Sequence, residues 1–561
     1  MSAARKPPEL VVDGFPRRRK RWVEIATSAD HKDVGRMMIV AALGFLSIAV
    51  IEFLIMRLQL AIPENTFLTP VTFNRMLSLY GATALFLFAL PLAFGFFYYL
   101  TPLQIGARGT ALPRFGQLGA WLYLVGAAVL YSGLLFTPTE GGVNPLAPLN
   151  ELAFIENNGI DAWATATGLA TLGFVLISVD LVATLRKCRA PGMAWRRLPI
   201  LAWGAAIGAC LMLVIGAVFL AAVTMLLIDR NFDGVFFAGD AGGAPLLWEH
   251  LSWIFYTGSY MLILIMALAA VAEIVPALAG KPLFNRPATI GSLAAIAVIG
   301  TLAWTQNMLT APIPIGWKYF AMVMSLALIV PFGLIFFNLI STLVGGAARM
   351  RAPLLFAAGA LSSISIGLTA EICHSLIASA WRIQHTTDST AATHFALIGG
   401  AVFGGFAALH WWFPKLTGRT LGENMARISF WTIAVGTLVT FVPMFLAGST
   451  EGQVVDAYKF FDNTGVNAYN MVASIGSFVL AIGILLTLIN AILSRTVGVE
   501  AGHDPWGADS LEWFALSPPD PHNFDVLPDV RSARPMRDIR EAISHRTSRP
   551  EEPIPESQPV A

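Results

Sequence analysis

The stretch WIFYTGSYM, residues 253–261, lies inside a mainly apolar run that continues from residue 251 to residue 279. A helix that crosses a lipid bilayer needs about 20 mainly apolar residues, and this run is longer than that. The stretch therefore predicts a membrane-spanning helix, and the composition of the chain indicates that many more accompany it.

The composition of the whole chain is that of a polytopic membrane protein. Of its 561 residues, 56% are hydrophobic and only 13% are charged, so most of the protein surface must face something other than water. We count about twelve apolar runs of spanning length along the sequence. The sequence therefore predicts an all-α polytopic membrane protein with twelve transmembrane helices.

The basic residues predict how the protein lies in the membrane, because Lys and Arg are retained on the cytoplasmic side. Residues 17–21, RRRKR, precede the first apolar run, and residues 186–197 between the fourth and fifth runs are also rich in Arg and Lys. The long loop of residues 138–162 contains neither Lys nor Arg. An even number of spans puts both ends of the chain on one side, so we expect both termini in the cytoplasm.

Charge and cysteine usage exclude several classes of function. The formal net charge is only +1, and the basic residues are distributed as an orientation signal and not as one groove-sized patch, so nucleic-acid binding is not expected. Cys188, Cys210 and Cys373 lack the spacing of a metal site or a disulfide framework.

The organisation of the chain is expected to be simple. We predict a basic cytoplasmic N-terminal segment over residues 1–32 and a twelve-helix transmembrane domain over residues 33–497. From about Ala501 the composition turns to Pro, Asp, Arg and Ser, which is too polar to pack and is typical of disorder. Residues 498–561 are therefore predicted to form a largely disordered cytoplasmic tail.

Several segments carry a resemblance that covers nearly the whole chain. They are TSADHKDVG (27–35), PLQIGARGTALPRFGQLGAWL (102–122), TMLLIDRNF (224–232), EHLSWIF (249–255), GGAVFGGFAALHWWFPKLTGR (399–419) and WGADSLEWFALSPPDPHNF (506–524). With twelve spans as well, the chain resembles subunit I of the bacterial haem-copper respiratory oxidases. The resemblance implies the twelve-helix arrangement of that subunit and a place in the bacterial inner membrane.

The resemblance also implies a set of metal-binding positions. In that family six histidines hold a low-spin haem, a high-spin haem and a copper ion: one from helix 2, one from helix 6, an adjacent pair from helix 7 and two from helix 10. Imidazole suits copper and haem iron, and three imidazoles leave an open position for oxygen. Each of these positions has a counterpart in this sequence.

The haem positions on helices 2 and 10 are mostly substituted. Aligning Asn74 and Pro91 with the family pattern puts Tyr80 at the low-spin haem ligand of helix 2. On helix 10, His394 falls at the other low-spin ligand and Ala392 at the high-spin ligand. The resemblance therefore leaves at most one haem, with His394 as the candidate axial ligand and Tyr80 as its partner.

The copper positions carry no histidine. Thr257 falls at the ligand of helix 6, and Gln306 and Asn307 fall at the adjacent pair of helix 7. Amides are poor copper ligands, so copper is not expected. The family's proton-delivering glutamate and cross-linked tyrosine correspond to Ser259 and Met261.

Other polar residues at membrane depth are structural or functional candidates. Glu371 and His374 are one helical turn apart, so an acid and an imidazole could neutralise each other, although ionisable residues in spans also mark functional sites. His250 and His410 match family positions that bind no metal, so hydrogen bonding is expected of them. One proton-channel position of the family, an asparagine, corresponds to Tyr98.

Three hypotheses of function follow. The first is a non-catalytic paralogue of cytochrome c oxidase subunit I in an aerobic respiratory chain complex, assembling with oxidase-type subunits II and III or with another respiratory complex. The second is a functional terminal oxidase subunit that passes electrons from cytochrome c to oxygen and translocates protons. The third is a membrane protein that conducts protons or a small solute through the emptied cavities, because polar residues facing a cavity mark such paths.

Overall fold

The computed structural model describes residues 22–547, apart from residues 136–137, 148, 153, 463–464, 525 and 528. Over these residues every named element is helical, and extended pairing is limited to two isolated bridges. Twelve of the helices are long and apolar enough to cross a membrane. The prediction of an all-α protein with twelve transmembrane helices is therefore confirmed, whereas the basic cluster at residues 17–21 lies outside the described residues.

The twelve spans are labelled α1 to α12 in chain order. They are α1 His31–Gln59, α2 Pro70–Gln104, α3 Pro113–Ser132, α4 Gly159–Lys187, α5 Ile200–Asn231, α6 Pro245–Ala279, α7 Arg286–Met308, α8 Ile315–Leu343, α9 Ala352–His374, α10 Thr387–Thr417, α11 Glu423–Glu451 and α12 Val466–Val497. A short helix, Ile377–Ile383, connects α9 to α10. The opening stretch of the sequence lies in α6.

The ends of the spans follow from local capping chemistry. α1 begins after Asp30, whose side chain accepts a hydrogen bond from the backbone N–H of Lys32. α6 begins with Pro245, which suits a first helical turn because its missing N–H is not needed there. α6 and α10 end at Gly280 and Gly418, whose φ angles of 67° and 82° are left-handed and favour glycine.

The core of the molecule lies around α2, α6 and α10. In the most apolar part of these spans 83%, 78% and 72% of the residues are buried, against 33% in α1 and α8. The neighbouring pair α3 and α4 packs through small residues: a Cβ added to Gly119 would lie 2.5 Å from the Gly173 carbonyl oxygen. Such close backbone approach is typical of helix packing in membranes.

The three spans α2, α7 and α10 contain irregular turns, and α8 is also interrupted, at Leu328. α2 includes a π-helical segment, Thr83–Ala89, after which the N–H of Leu90 bonds to the carbonyl of Leu85. α10 includes a second π-helical segment, Ile398–Gly404, and α7 ends in a 3-10 turn, Trp304–Met308. π-helical turns are rare and often occur at functional sites. All three spans carry residues at the family's metal-ligand positions.

The segment after α12 packs on the helical body. Leu511, Glu512 and Trp513 are completely buried, and the Trp506 ring stacks on that of Trp411 with centroids 5.1 Å apart. A further helix, α13 Pro535–Thr547, follows. The expectation that this polar segment cannot pack is wrong for its described part, because a few large apolar side chains anchor it; residues 548–561 lie outside the described residues.

Candidate functional site

The structure brings the two candidate haem ligands into direct contact. The Tyr80 hydroxyl lies 2.7 Å from His394 Nε2, and the two rings are nearly parallel, with an interplanar angle of 3°. His394 Nδ1 lies 2.7 Å from the Thr390 carbonyl oxygen, to which it must donate. Nε2 of the neutral ring is therefore the acceptor, and the Tyr80 hydroxyl is the donor.

This arrangement does not fit an axially ligated haem iron. Metal–imidazole bonds are about 2 Å long, so two axial ligand atoms on opposite sides of an iron lie about 4 Å apart. The lone pair of His394 that iron would need accepts the Tyr80 hydroxyl instead. The rings of Phe53 and Phe441 also stack on His394, with centroids 6.0 and 5.1 Å away, and they enclose the pair in aromatic side chains.

The residues at the copper positions bond to one another and to neighbouring side chains. Asn307 Nδ2 donates to Thr257 Oγ1 at 3.2 Å, and Gln306 Nε2 donates to Glu371 Oε2 at 3.0 Å. Ser325 Oγ donates to Gln306 Oε1 at 2.5 Å. Amide and hydroxyl groups held in this way do not fit copper, and the described residues contain no group of three His, Cys, Asp or Glu side chains that could hold a metal.

Glu371 and His374 have separate partners. Glu371 Oε1 accepts a hydrogen bond from Thr393 Oγ1 at 2.9 Å, in addition to the one from Gln306. His374 Nε2 lies 2.6 Å from Asp388 Oδ1, at the start of α10. Glu371 and His374 are therefore not hydrogen-bonded to each other, because the imidazole bonds to the Asp388 carboxylate of the next span. A sequence signal for Asp388 existed, since it is an acidic residue in the first turn of a span.

His250 and His410 make hydrogen bonds to other groups of the protein, as expected. His250 Nδ1 accepts from Trp304 Nε1 at 3.0 Å, which ties α6 to the 3-10 turn of α7. His410 Nδ1 donates to the Phe406 carbonyl at 2.7 Å within α10. Both roles are structural, and neither histidine lines the cavity described next.

A cavity of about 690 Å³ lies between α1, α2, α6, α7, α9, α10, α11 and α12. It extends from the loop between α11 and α12, at residues 454–456, to apolar positions deep in the spans such as Leu46 and Ala401. Its walls include both candidate haem ligands, two of the three copper-position residues, and Glu371 and His374. The large aromatic side chains that also line it are Phe53, Phe88, Trp253, Tyr256, Tyr260 and Phe441.

At the opposite end of the molecule lies Tyr98, at the position that the resemblance assigns to a proton-channel asparagine. Its hydroxyl donates to Asp180 Oδ2 at 2.6 Å, inside the protein. Asp180 Oδ1 accepts from the Leu112 backbone N–H at 2.7 Å and from Thr184 Oγ1 at 3.1 Å. The Tyr98 ring also presses on Gly116, where an added Cβ would meet its hydroxyl. The hydrogen-bonded carboxylate of Asp180 and the phenol ring of Tyr98 therefore occupy this part of the protein.

The loop between α3 and α4 borders the outer part of the cavity and carries a buried acid. Glu151 is only 6% exposed, and burial, together with the nearby carboxylates Asp229 and Asp240, raises its pKa to about 7. The neighbouring Asn150 lines the cavity. No pattern in the sequence singles out this acid, because it lies in a loop and not in a span.

Known proteins similar to this chain cover almost all of it. A family model described as cytochrome c and quinol oxidase polypeptide I matches residues 33–479. Cytochrome c oxidase subunit 1 of Bacillus subtilis is 32% identical over 531 residues, covering 94% of this chain and 85% of the relative. The heme-copper oxidase subunit I+III of Aeropyrum pernix is 33% identical over 516 residues, covering 91% of this chain and 62% of the relative.

The fold is also similar to a solved one. A cryo-EM structure of a heme-copper terminal oxidase dimer matches with a TM-score of 0.72 at 14% sequence identity, covering 92% of this chain and 99% of that chain. At so low an identity this likeness shows the fold alone. It agrees with the twelve-span arrangement of α1 to α12 described above.

Proposed function

Because the chain belongs to the cytochrome c and quinol oxidase polypeptide I family, we propose that it is a non-catalytic paralogue of cytochrome c oxidase subunit I in a bacterial respiratory complex. The chain is a subunit I-like membrane protein; the loss of oxygen reduction is the proposed part. The observation that supports this part most is the 2.7 Å hydrogen bond between Tyr80 and His394, since it satisfies the imidazole nitrogen that iron would need.

The bonding of the copper-position residues supports the same proposal. Thr257, Gln306 and Asn307 have no imidazole, and their amide and hydroxyl groups make hydrogen bonds to other protein groups. They therefore provide no good ligand for copper. The protein accordingly contains no copper and no haem ligated axially by His394. The alternative of a functional terminal oxidase would need these residues to rearrange around metals that they bind poorly.

The test is a reduced-minus-oxidised spectrum with pyridine haemochrome and copper analysis of the purified full-length protein. We expect no low-spin haem signal, no stoichiometric copper and no oxygen consumption with reduced cytochrome c. Two haems and one copper per chain, with oxygen consumption, would restore the functional oxidase and contradict the proposal.

Partner subunits are the second part of the proposal. The Aeropyrum relative is a subunit I+III, which supports assembly of this chain with oxidase-type subunits II and III or with another respiratory complex. Affinity purification of the chain from its native membrane, followed by mass spectrometry, tests this assembly. Recovery of the chain alone from gently solubilised membranes would contradict it.

A second candidate function, conduction of protons or a small solute, is favoured by the cavity and its polar residues. Gln306, Asn307 and Glu371 all line it, and polar cavity linings mark conduction paths. Against it, the Tyr98–Asp180 pair fills the region at the opposite end of the molecule. Proton flux in liposomes that contain the protein, above that of empty liposomes, would favour this candidate over the first.

A further inference from the structure

The charged side chains that line the cavity between the spans are acidic. They are Glu140, Glu371 and Asp456, and within the described residues the lining includes no Lys or Arg. Arg75, which lies outside the lining, forms an ion pair with Glu140, whereas neither Glu371 nor Asp456 forms one with a Lys or Arg in the described part of the chain. A cleft lined by one sign of charge favours ions of the opposite sign, so this cavity favours a cation over an anion.

Two buried amides in the loop between α3 and α4 indicate independently that the cavity has a ligand. Asn144 and Asn150 line the cavity, and they are only 9% and 1% exposed. The Oδ1 atoms of both side chains have no hydrogen-bond partner within the described residues. A buried polar atom without a hydrogen bond costs about 1–3 kcal/mol, so such atoms are uncommon and call for an explanation.

The partners of these amides fix which atom of each is free. Asn150 Nδ2 donates to the Pro145 carbonyl at 3.0 Å. Ser252 Oγ donates to the Glu249 carbonyl at 3.3 Å, so its lone pair accepts from Asn144 Nδ2 at 3.0 Å. Each amide therefore directs its nitrogen to the protein and leaves its oxygen free. An amide oxygen accepts hydrogen bonds and cannot donate them, so the missing ligand must be a donor.

The end of α9 supplies the negative charge. Both oxygens of Glu371 accept hydrogen bonds, from Gln306 and Thr393, but a carboxylate has about four lone-pair positions, so it can accept further bonds. His374, one turn away, bonds to the Asp388 carboxylate at 2.6 Å. Whether the imidazole is neutral or protonated, this pair has no net positive charge, so nothing at the end of α9 neutralises Glu371.

The remaining walls define the body of the ligand. Trp253 and Tyr256 line the cavity with ring centroids 5.9 Å apart and an interplanar angle of 57°, and the faces of such rings attract cations. The Tyr256 hydroxyl donates to the Val143 carbonyl at 2.9 Å, which places these rings beside the loop with the free amide oxygens. Deeper positions, including Leu46 and Ala401, are apolar. The volume of about 690 Å³ is usual for small-molecule sites.

We propose that this cavity binds an organic cation with N–H donors, of the alkylammonium or arylalkylammonium class, with Glu371 as its counter-charge. The N–H groups supply the donors that the free amide oxygens of Asn144 and Asn150 require, and the apolar body of the ligand enters the deep end of the cavity. The proposal concerns binding and includes no covalent or redox step. It rests on the proposed function to the extent that no haem fills the cavity.

The test is equilibrium binding to the full-length protein in phosphatidylcholine nanodiscs at about pH 7.5, where an alkylamine is protonated and a carboxylic acid is ionised. Three probes share one ring and chain and differ in the end group: 4-phenylbutylamine, 4-phenylbutanol and 4-phenylbutanoate. Empty nanodiscs measure the partitioning of each probe into the lipid. We expect the amine to bind about tenfold or more tightly than the alcohol, because a charged hydrogen bond is stronger than a neutral one, and the carboxylate to bind most weakly.

The variant Glu371→Gln keeps the shape of the side chain and removes its charge, so it should reduce the affinity for the amine about tenfold and leave the affinity for the alcohol unchanged. Glu512→Gln is the matched control, because Glu512 is a buried glutamate that does not line the cavity. If Glu371→Gln fails to fold, the preference of the wild-type protein for the amine over the alcohol and the carboxylate still decides the matter.

Equal affinities for the three probes, tighter binding of the alcohol or the carboxylate, or no binding of any would overturn the proposal and leave water as the partner of the amide oxygens. Unchanged affinity for the amine in a folded Glu371→Gln variant would also overturn it. An absorption spectrum of the same sample separates the two proposals: a haem signal contradicts the proposed function, whereas equal probe affinities without a haem signal contradict only the ligand inference.

Discussion

Tyr80 and His394, at positions that the resemblance assigns to two metal ligands, form a hydrogen-bonded pair. Tyr80 donates to His394, His394 donates to the Thr390 carbonyl, and no polar atom of either ring is left without a partner. This hydrogen bond therefore joins α2 to α10.

Replacing Tyr80 by Phe removes this hydrogen bond and leaves His394 Nε2 buried without a donor. We expect the free energy of unfolding in detergent to fall by about 1 kcal/mol, the usual cost of losing a hydrogen bond in a membrane protein. Tyr319→Phe is the control, because Tyr319 is 54% exposed on α8 and surface changes have small effects. Equal stability of the Tyr80→Phe variant and the wild-type protein would show that the bond does not form.

The buried acid Glu151 predicts a pH dependence of stability. Its pKa in the folded protein is raised from 4.5 to about 7, so the folded protein binds the proton more tightly than the unfolded chain does. Stability should therefore fall as the pH rises from about 4.5 to about 7, because ionisation of the buried carboxyl opposes folding. Thermal unfolding over this pH range should show the decline in the wild-type protein and a smaller one in Glu151→Gln.

The control for this measurement is Glu156→Gln, which changes an exposed glutamate of the same loop. Its pH profile should match that of the wild-type protein. A profile of Glu151→Gln that is parallel to the wild-type profile would mean that Glu151 does not titrate in this range.

For single residues, the sequence identified the residues of the candidate site better than it identified their hydrogen-bond partners. It identified Tyr80, His394, Glu371 and His374, and the structure places all four around one cavity. It did not predict that Asp388 takes the His374 imidazole, because the contact joins different helices and depends on how α9 and α10 pack. Partners of this kind are set by tertiary packing and not by spacing along one helix.

Among the elements, the segment after α12 differs most from the expectation. Its composition is polar, and the few large side chains that anchor it are too sparse to form a periodic pattern. Glu512 is buried among Gln104, Trp412 and Ser510, with bonds of 3.1, 3.2 and 2.9 Å. A buried carboxylate with several donors fixes the segment to α2 and α10, which composition alone cannot reveal.

Trp513→Ala tests how this segment is attached. The indole is completely buried, so its removal should cost about 3–5 kcal/mol of packing and release the segment locally. Trypsin should then cleave faster at Arg531, Arg534 and Arg537. Phe514→Ala is the control, since the neighbouring Phe514 is 37% exposed and its loss should leave the cleavage rate nearly unchanged; equal rates in both variants would contradict the attachment.

For the whole molecule, the number and position of the spans followed from apolar runs of spanning length, because hydropathy and length directly determine which helices can cross a bilayer. The runs correspond to α1 to α12. The cavity could not be predicted in the same way, since its volume depends on the distances between eight spans. Several of the residues that line the cavity were identified from the sequence, but the volume between their side chains was not.

The orientation of the whole molecule in the membrane can also be tested. With twelve spans, both termini should lie in the cytoplasm and the loop of residues 138–162 should lie outside. Alkaline phosphatase, which is active only outside the cytoplasm, should be inactive when fused to the C-terminus and active when inserted into that loop. Activity of the C-terminal fusion would reverse the orientation of the whole molecule.

Because of the π-helical segments Thr83–Ala89 and Ile398–Gly404, the shape of the cavity depends on the exact number of residues in α2 and α10. Each residue of a regular helix advances the side-chain direction by about 100°, so deleting a single amino acid within either turn would change the angular phase of everything beyond it. Tyr80 would then point away from His394 although both were still encoded. In this protein an insertion or deletion between the cavity residues can alter the cavity as much as a substitution among them.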